Sequence, residues 1–429
     1  MTARFDVVVA GAGPGGIAAA VAAAESGSSV CLLDDNSAHG GQIWKGLRSQ
    51  TARSHPHGRS FQDWTLRLQR TNCEVRNGWR AIDAPCRGLL RLERDGESKD
   101  IGFGRLILAT GARERFLPFP GWTLPGVLGA GGLQALVKSG LDAKGKRVLL
   151  AGTGPLLLAV AAGLAKSGGR IVGVYEQAQL ARLAAFGLSL LDMPAKLAEG
   201  IRYRLRVSYA PYRTGCWVVR ADGQNRLEQV TVTDGHRQWT LACDWLGCGF
   251  HLVPNLELPR LLNCRTKGGY VSVDGQQQSS VPRVACVGEL TGIGGVEKAL
   301  VEGQIAGLVA AGRHEQARDL ESRRDKLKRF ATGMDRAFAL RPELRSLADA
   351  KTLFCRCEDV THNALADCGS WREAKLQTRC GMGSCQGRIC GTAAEFLFGW
   401  EHSGIRPPLF PARVSTLAAE VEPSEQSNC

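Results

Sequence analysis

Phe5-Asp-Val-Val-Val-Ala-Gly-Ala-Gly-Pro-Gly-Gly16 decides the fold of this chain. Phe5–Ala10 is a mostly apolar run of the sort buried on both faces of a parallel sheet. Gly11, Gly13 and Gly16 then spell G-x-G-x-x-G, with Pro14 in the turn, and the alanine-rich Ile17–Ala24 reads as a helix. In that setting Gly11 permits the tight turn, Gly13 lets the backbone approach a pyrophosphate, and Gly16 lets helix and strand pack closely. The helix N-terminus adds N–H donors and positive potential. A second strand, Ser29–Leu33, ends in Asp34-Asp35, and Asp34 follows Gly16 by 18 residues, where an acid binds ribose hydroxyls. Strand, turn, helix and acid in register make this a dinucleotide site.

A second unit of the same plan starts near Lys144. Arg147–Gly152 is its strand, Thr153-Gly154-Pro155 its turn, Leu156–Lys166 its helix and Arg170–Glu176 its next strand. The pattern breaks at Leu157, which stands where the third glycine belongs. Glu176 would favour NAD over NADP, because a carboxylate repels a 2′-phosphate. A retained Rossmann unit that no longer uses a nicotinamide cofactor is the competing reading.

The chain has 429 residues, enough for two or three domains. It begins without a basic, apolar and cleavage-site succession, and it has no run of 18 apolar residues. The expected location is the cytoplasm, or the periphery of the inner membrane through an electron acceptor, with no transmembrane segment. A net charge of +13 suits a docking face for an acidic partner as well as a solvated surface. No basic helix with interleaved aromatics accompanies it, so nucleic acid is not an expected partner.

Fifteen cysteines are many for such a protein, and six of them (Cys355, Cys357, Cys368, Cys380, Cys385, Cys390) fall within 36 residues. Away from a secretory context, such a cluster reads as a metal or redox site. Cys355-Arg-Cys357, followed after 27 residues by Cys385-Gln-Gly-Arg-Ile-Cys390, offers four thiolates for zinc or an iron–sulfur cluster. Cys380 is a substitute ligand and Cys368 a packing residue. Cys243 and Cys248 form a C-x4-C placed too late for the redox disulfide of a reductase, and read as packed thiols. His39 and His251 are expected to hold surface or hydrogen-bonding roles.

From about residue 4 to 312 the chain resembles the flavoproteins with two dinucleotide-binding domains. The residues that carry the likeness are Ala109-Thr-Gly-Ala112, Val284-Ala-Cys-Val-Gly288-Glu289, Thr291-Gly-Ile-Gly-Gly295 and Glu302-Gly-Gln-Ile-Ala-Gly307. The resemblance implies non-covalent FAD on the first unit, with Thr110, Gly111 and Gly288 at the cofactor and Glu289 on its ribityl chain. Gly40-Gly41-Gln42 is similar to the flavin-contacting segment of thioredoxin reductases, which brings in Gly41 and Gln42. Cys355-Arg-Cys-Glu-Asp-Val-Thr361 and Thr378-Arg-Cys-Gly-Met-Gly-Ser-Cys-Gln-Gly-Arg-Ile-Cys390 resemble the bacterioferritin-associated-ferredoxin-like domain, which binds [2Fe-2S].

Together with Asp34–Trp44 and Arg406-Pro-Pro-Leu-Phe-Pro-Ala-Arg413, these segments are similar to the A-type (alpha) subunits of heteromeric amino- and imino-acid dehydrogenases. The resemblance implies an α/β protein with two Rossmann-like domains, glutathione/thioredoxin reductase-like, plus a small C-terminal [2Fe-2S] domain. The expected layout is an FAD domain over 1–115 and 245–312, and a second Rossmann domain over 116–244. A helical connector over 313–350, a [2Fe-2S] domain over 351–400 and a tail over 401–429 follow. It also implies a second, catalytic FAD subunit, a small ferredoxin-like subunit, and FMN at a subunit interface. The substrate would be an amino or imino acid, such as cis-4-hydroxy-D-proline or an opine, bound mainly on another chain. The competing functions are a stand-alone NAD(P)H-dependent flavin reductase and a non-catalytic subunit that presents cofactors.

Overall fold

The computed structural model describes residues 2–45, 47, 58–401 and 404–419. The last ten residues of the expected 401–429 tail lie outside them. The chain divides into two units: 1–113, 254–332 and 404–429 form the first, and 114–253 with 333–403 the second.

The first unit is built on a seven-stranded sheet. Its order is Glu74–Asn77, Val30–Asp34, Ala3–Ala10, Glu97–Leu108, Leu89–Arg94, Arg80–Asp83, with Val284–Cys286 also paired to Glu97–Leu108. The strands around Ala3–Ala10 are parallel, with Val9 opposite Leu32 on one side and Ile107 on the other. Val7, Val8 and Val9 are fully buried, as the apolar run requires. Two helices, Pro14–Glu25 and Gly295–Ala310, touch backbone to backbone. A Cβ at Gly303 would sit 2.1 Å from the Gly15 carbonyl oxygen, and one at Gly307 would sit 2.3 Å from that of Ala19. The Gly303 and Gly307 spacing therefore has a packing cause.

The second unit carries a parallel five-stranded sheet in the order Tyr212–Thr214, Arg170–Glu176, Arg147–Thr153, Trp245–Phe250, Val127–Gly129. A separate antiparallel sheet holds Trp217–Asp222, Gln229–Thr233 and Gln238–Ala242. Trp245–Phe250 pairs with Arg147–Thr153, so the return to the first unit falls after Val253 and not at residue 245. The connector is helical, at His314–Arg318 and Glu321–Ala337, but it divides between the units at residue 333.

The cysteine-rich segment is not a separate body. Phe354, Cys355, Trp371, Cys380 and Cys390 share one hydrophobic core with Phe119, Trp122, Trp217 and Phe250. The Trp122 indole N–H donates to the Leu353 carbonyl at 2.6 Å.

Candidate functional site

The first dinucleotide turn is open and donor-rich. Pro14 begins the helix, Gly13 is its N-cap, and no side chain caps it, so its first N–H groups are left for a ligand. Gly11 takes φ +108°, and its Cβ would strike the Ala109 carbonyl oxygen at 2.3 Å. At Gly16 a Cβ would lie 1.8 Å from the Gly11 oxygen. Gly13 differs: a Cβ there meets nothing nearer than the Gly41 Cα at 4.0 Å, so this backbone can be approached. Gly40 donates its N–H to the Ala12 carbonyl at 2.7 Å, which brings Gly41 to the turn, while Gln42 is exposed.

Asp34 is buried at the end of its strand, where its carboxylate accepts the Ala12 N–H at 2.7 Å and two bonds from Asn36. Asp35 is exposed, 3.6 Å from the Arg80 guanidinium. Thr110 and Gly111 are pinned by Asn255: the Thr110 hydroxyl donates to the Asn255 carbonyl, and the Asn255 amide returns a bond to the Thr110 carbonyl. The Asn255 N–H donates to the Gly111 carbonyl.

Glu289 accepts the N–H groups of Gly294 and Gly295, at 3.0 and 3.1 Å, and so caps the Gly295–Ala310 helix. Desolvation pushes its carboxyl up, against the pull of Lys298 and the two amides. Below it lies a buried cation. The Lys298 ammonium donates to the Gly288 carbonyl, the Thr291 hydroxyl and the Glu302 carboxylate, at 2.8, 2.8 and 2.9 Å. Lys298 is absent from the residues singled out in the sequence. The visible signal is a Lys–Glu pair at i, i+4 on an otherwise apolar face.

The uncapped turn, the exposed backbone at Gly13 and the acid beside them suit the ADP part of FAD.

In the second unit, the sulfurs of Cys355, Cys380 and Cys390 lie within 4.8 Å of one another, all buried. Cys385 bonds to Cys390 and to Cys357, and Cys357 is exposed with the Ser384 hydroxyl 3.7 Å from its sulfur. The structure thus brings Cys355 and Cys390 together as expected, seats Cys380 with them, and leaves Cys385 and Cys357 on the flank. Hydrogen bonds from Cys380 and Cys390 hold the Cys355 thiol far below its usual range. The same sharing pushes Cys380 up to about 12, and Cys390 higher still. Crowded sulfurs that compete for too few protons form a donor set that a soft cation or a metal–sulfide centre satisfies.

Cys368 stands apart, its thiol 3.7 Å from Gln377 Oε1. Cys243 and Cys248 are buried free thiols, raised by desolvation. His251 bonds the Leu252 carbonyl through Nδ1 and faces Asp335 through Nε2 at 3.3 Å.

Residues 5–313 match the model of the pyridine nucleotide-disulphide oxidoreductases, and the chain belongs to that family. Within it the chain belongs with hydrogen cyanide synthase and opine oxidase subunits. It is 32% identical to hydrogen cyanide synthase subunit HcnB of Pseudomonas aeruginosa, over 89% of this chain and 90% of the relative. It is 33% identical to an opine oxidase subunit of Rhizobium meliloti, over 98% and 99%. Among solved structures, L-proline dehydrogenase from P. horikoshii superposes with a TM-score of 0.71 at 18% identity, covering 98% of this chain and 81% of that one. T. acidophilum thioredoxin reductase does so with a TM-score of 0.55 at 21% identity, covering 72% and 98%. The first two relatives are named as subunits, and no helix among the described residues is long and apolar enough to cross a membrane.

Proposed function

We propose that this chain is the electron-carrying subunit of a heteromeric dehydrogenase that oxidises a carbon–nitrogen bond of an amino or imino acid. One observation carries the reading: a buried cysteine cluster accompanies an intact first dinucleotide turn in one chain. When bound, FAD would supply two-electron chemistry and [2Fe-2S] one-electron transfer.

Gly13 and the N-terminus of the Pro14–Glu25 helix would hold the pyrophosphate, and Asp34 would hold the ribose. Gly41, Gln42, Thr110, Gly111, Gly288 and Glu289 would flank the remainder of that cofactor. Four thiolates would hold the cluster: Cys355 and Cys390 with Cys357 and Cys385, or with Cys380 in place of one of the latter two, as its seat in the triad favours. Substrate oxidation belongs to a second FAD subunit, with an interfacial FMN and a small ferredoxin-like subunit completing the path. The opine oxidase among the relatives favours an opine as the donor, beside a D-imino acid such as cis-4-hydroxy-D-proline.

The test is to purify the chain with its co-expressed catalytic subunit. Iron and acid-labile sulfide in equal amounts, with dye reduction that depends on the amino or imino acid, are the expected results. Rapid bleaching of the flavin by NADH alone would overturn the reading in favour of a stand-alone reductase.

A further inference from the structure

In the second dinucleotide cleft the turn at Gly154 has open space beside it, but the ends of the neighbouring strands are crossed by a segment of the same unit. In a Rossmann unit the ligand lies across the carboxyl ends of the strands, with pyrophosphate at the glycine turn and ribose at the acid that ends the second strand. Here those places are Gly152–Pro155 and Glu176. Residues 338–341 of the same unit contact Thr153 in the turn and Gln177 beside Glu176.

The Thr153 hydroxyl, whose proton goes to Glu176 at 2.7 Å, lies 3.3 Å from the Phe338 carbonyl. The Gln177 amide donates to the Ala339 carbonyl at 3.2 Å, and its oxygen accepts the Arg341 N–H at 3.1 Å. Arg341 then donates to the Gly215 carbonyl at 3.2 Å and lies 3.9 Å from the Trp217 ring centre. Phe338 is 5% exposed and packs edge-on against Phe186, 5.5 Å between ring centres. Glu176 commits its carboxylate to the Thr153 hydroxyl and the N–H groups of Gly154 and Ala178.

Leu157, 1% exposed, fills the gap a third glycine would leave. A partly open pocket of about 70 Å³ remains among Gly154, Leu157, His251, Met334 and Phe338. That is less than half of the roughly 150 Å³ apolar cavity that takes up one benzene. A nicotinamide ring is larger than benzene, and the nucleotide it carries is several times larger.

We propose that Met334–Arg341 is a built-in occupant of the second dinucleotide cleft, which excludes NAD(H) and NADP(H) as ligands of this chain. The inference deepens the reading of the chain as a relay subunit: with the nicotinamide route closed, its electrons come from another flavoprotein chain.

The experiment is equilibrium dialysis of the full FAD-loaded chain against NADH and NADPH, paired with hydrogen–deuterium exchange over 152–157 and 334–341. The wild type is expected to take up neither nucleotide at millimolar concentration, with exchange unchanged in both segments. A Phe338→Gly, Arg341→Ala variant with wild-type circular dichroism is expected to bind NADH at least about tenfold more tightly, because opening the cleft raises its competent fraction. Saturable uptake by the wild type, or release of 334–341 on adding NADH, would overturn the proposal. It also falls if the opened variant takes up no more NADH than the wild type, since something other than this segment then closes the cleft. None of these outcomes depends on whether the cysteines hold iron, so the relay reading stands or falls on its own test.

Discussion

Lys298 and Glu302 form an ion pair at 2.9 Å, with 1% and 2% of their side chains exposed. Burial of two charges is repaid only where every donor and acceptor is met, and here Thr291 and Gly288 complete the set. Lys298→Met removes one charge and strands the other. The expected loss is about 3–5 kcal/mol of stability, read from urea unfolding. Lys298→Met with Glu302→Leu should recover most of it; if the double variant is no better than the single one, the two charges do not act as a pair.

Gly13 and Gly16 lie three residues apart and should fail in different ways. Gly13 has φ −75° and open space at its Cβ position, so Gly13→Ala should stay within about 1 kcal/mol of wild-type stability. It should still weaken FAD retention by at least about tenfold, because the methyl stands where the pyrophosphate approaches. Gly16→Ala forces a Cβ onto the Gly11 carbonyl and should lower the melting temperature itself. Thermal melts and flavin absorbance per chain separate the two effects.

Iron content per chain is the measurement for the cysteines. Cys355→Ser, Cys380→Ser and Cys390→Ser should each remove most of it, since those sulfurs share one 4.8 Å cluster. Cys368→Ser should keep wild-type iron, because that thiol only faces Gln377. Full iron in the Cys380 variant would return the ligand set to the two pairs read from spacing.

Glu176 gives a pH signature. Desolvation lifts its carboxyl from 4.5 to about 7, against the three donors that hold it. A carboxyl raised on folding contributes stability that is complete below the unfolded value and is lost as pH rises through the folded one. Relative to Glu176→Gln, the wild type should therefore lose stability between pH 4.5 and 7, by at most about 3 kcal/mol. A flat difference across that window would show that the carboxylate stays ionised.

Much of the fold is legible because its signals are local. The apolar run before Gly11, the glycine turn, and the Leu156–Lys166 and Arg170–Glu176 elements appear where their residues place them. The first strand is longer than its apolar run, reaching back to Ala3, because pairing with Glu97–Leu108 continues past the buried residues. What stays hidden depends on distant partners. The helical spacing of Met334 and Phe338 marks an apolar stripe, but not that its carbonyl end meets Thr153, 185 residues earlier. Cys380 precedes Cys385 by the same spacing that separates Cys385 from Cys390, so spacing does not choose among the three, whereas the turn around Gly381 and the Gly387–Cys390 bend bring Cys380 and Cys390 to Cys355. Lys298 draws no notice in the sequence because a lysine is ordinarily a surface residue.

The shared core of Trp122, Trp217, Phe354 and Trp371 bears on how the holoprotein is made. A free-standing ferredoxin module can be loaded, tested or exchanged alone; this one leans on walls supplied by residues 117–250. The unit that carries the cysteine triad is therefore 114–253 together with 333–403, and not 351–400 alone.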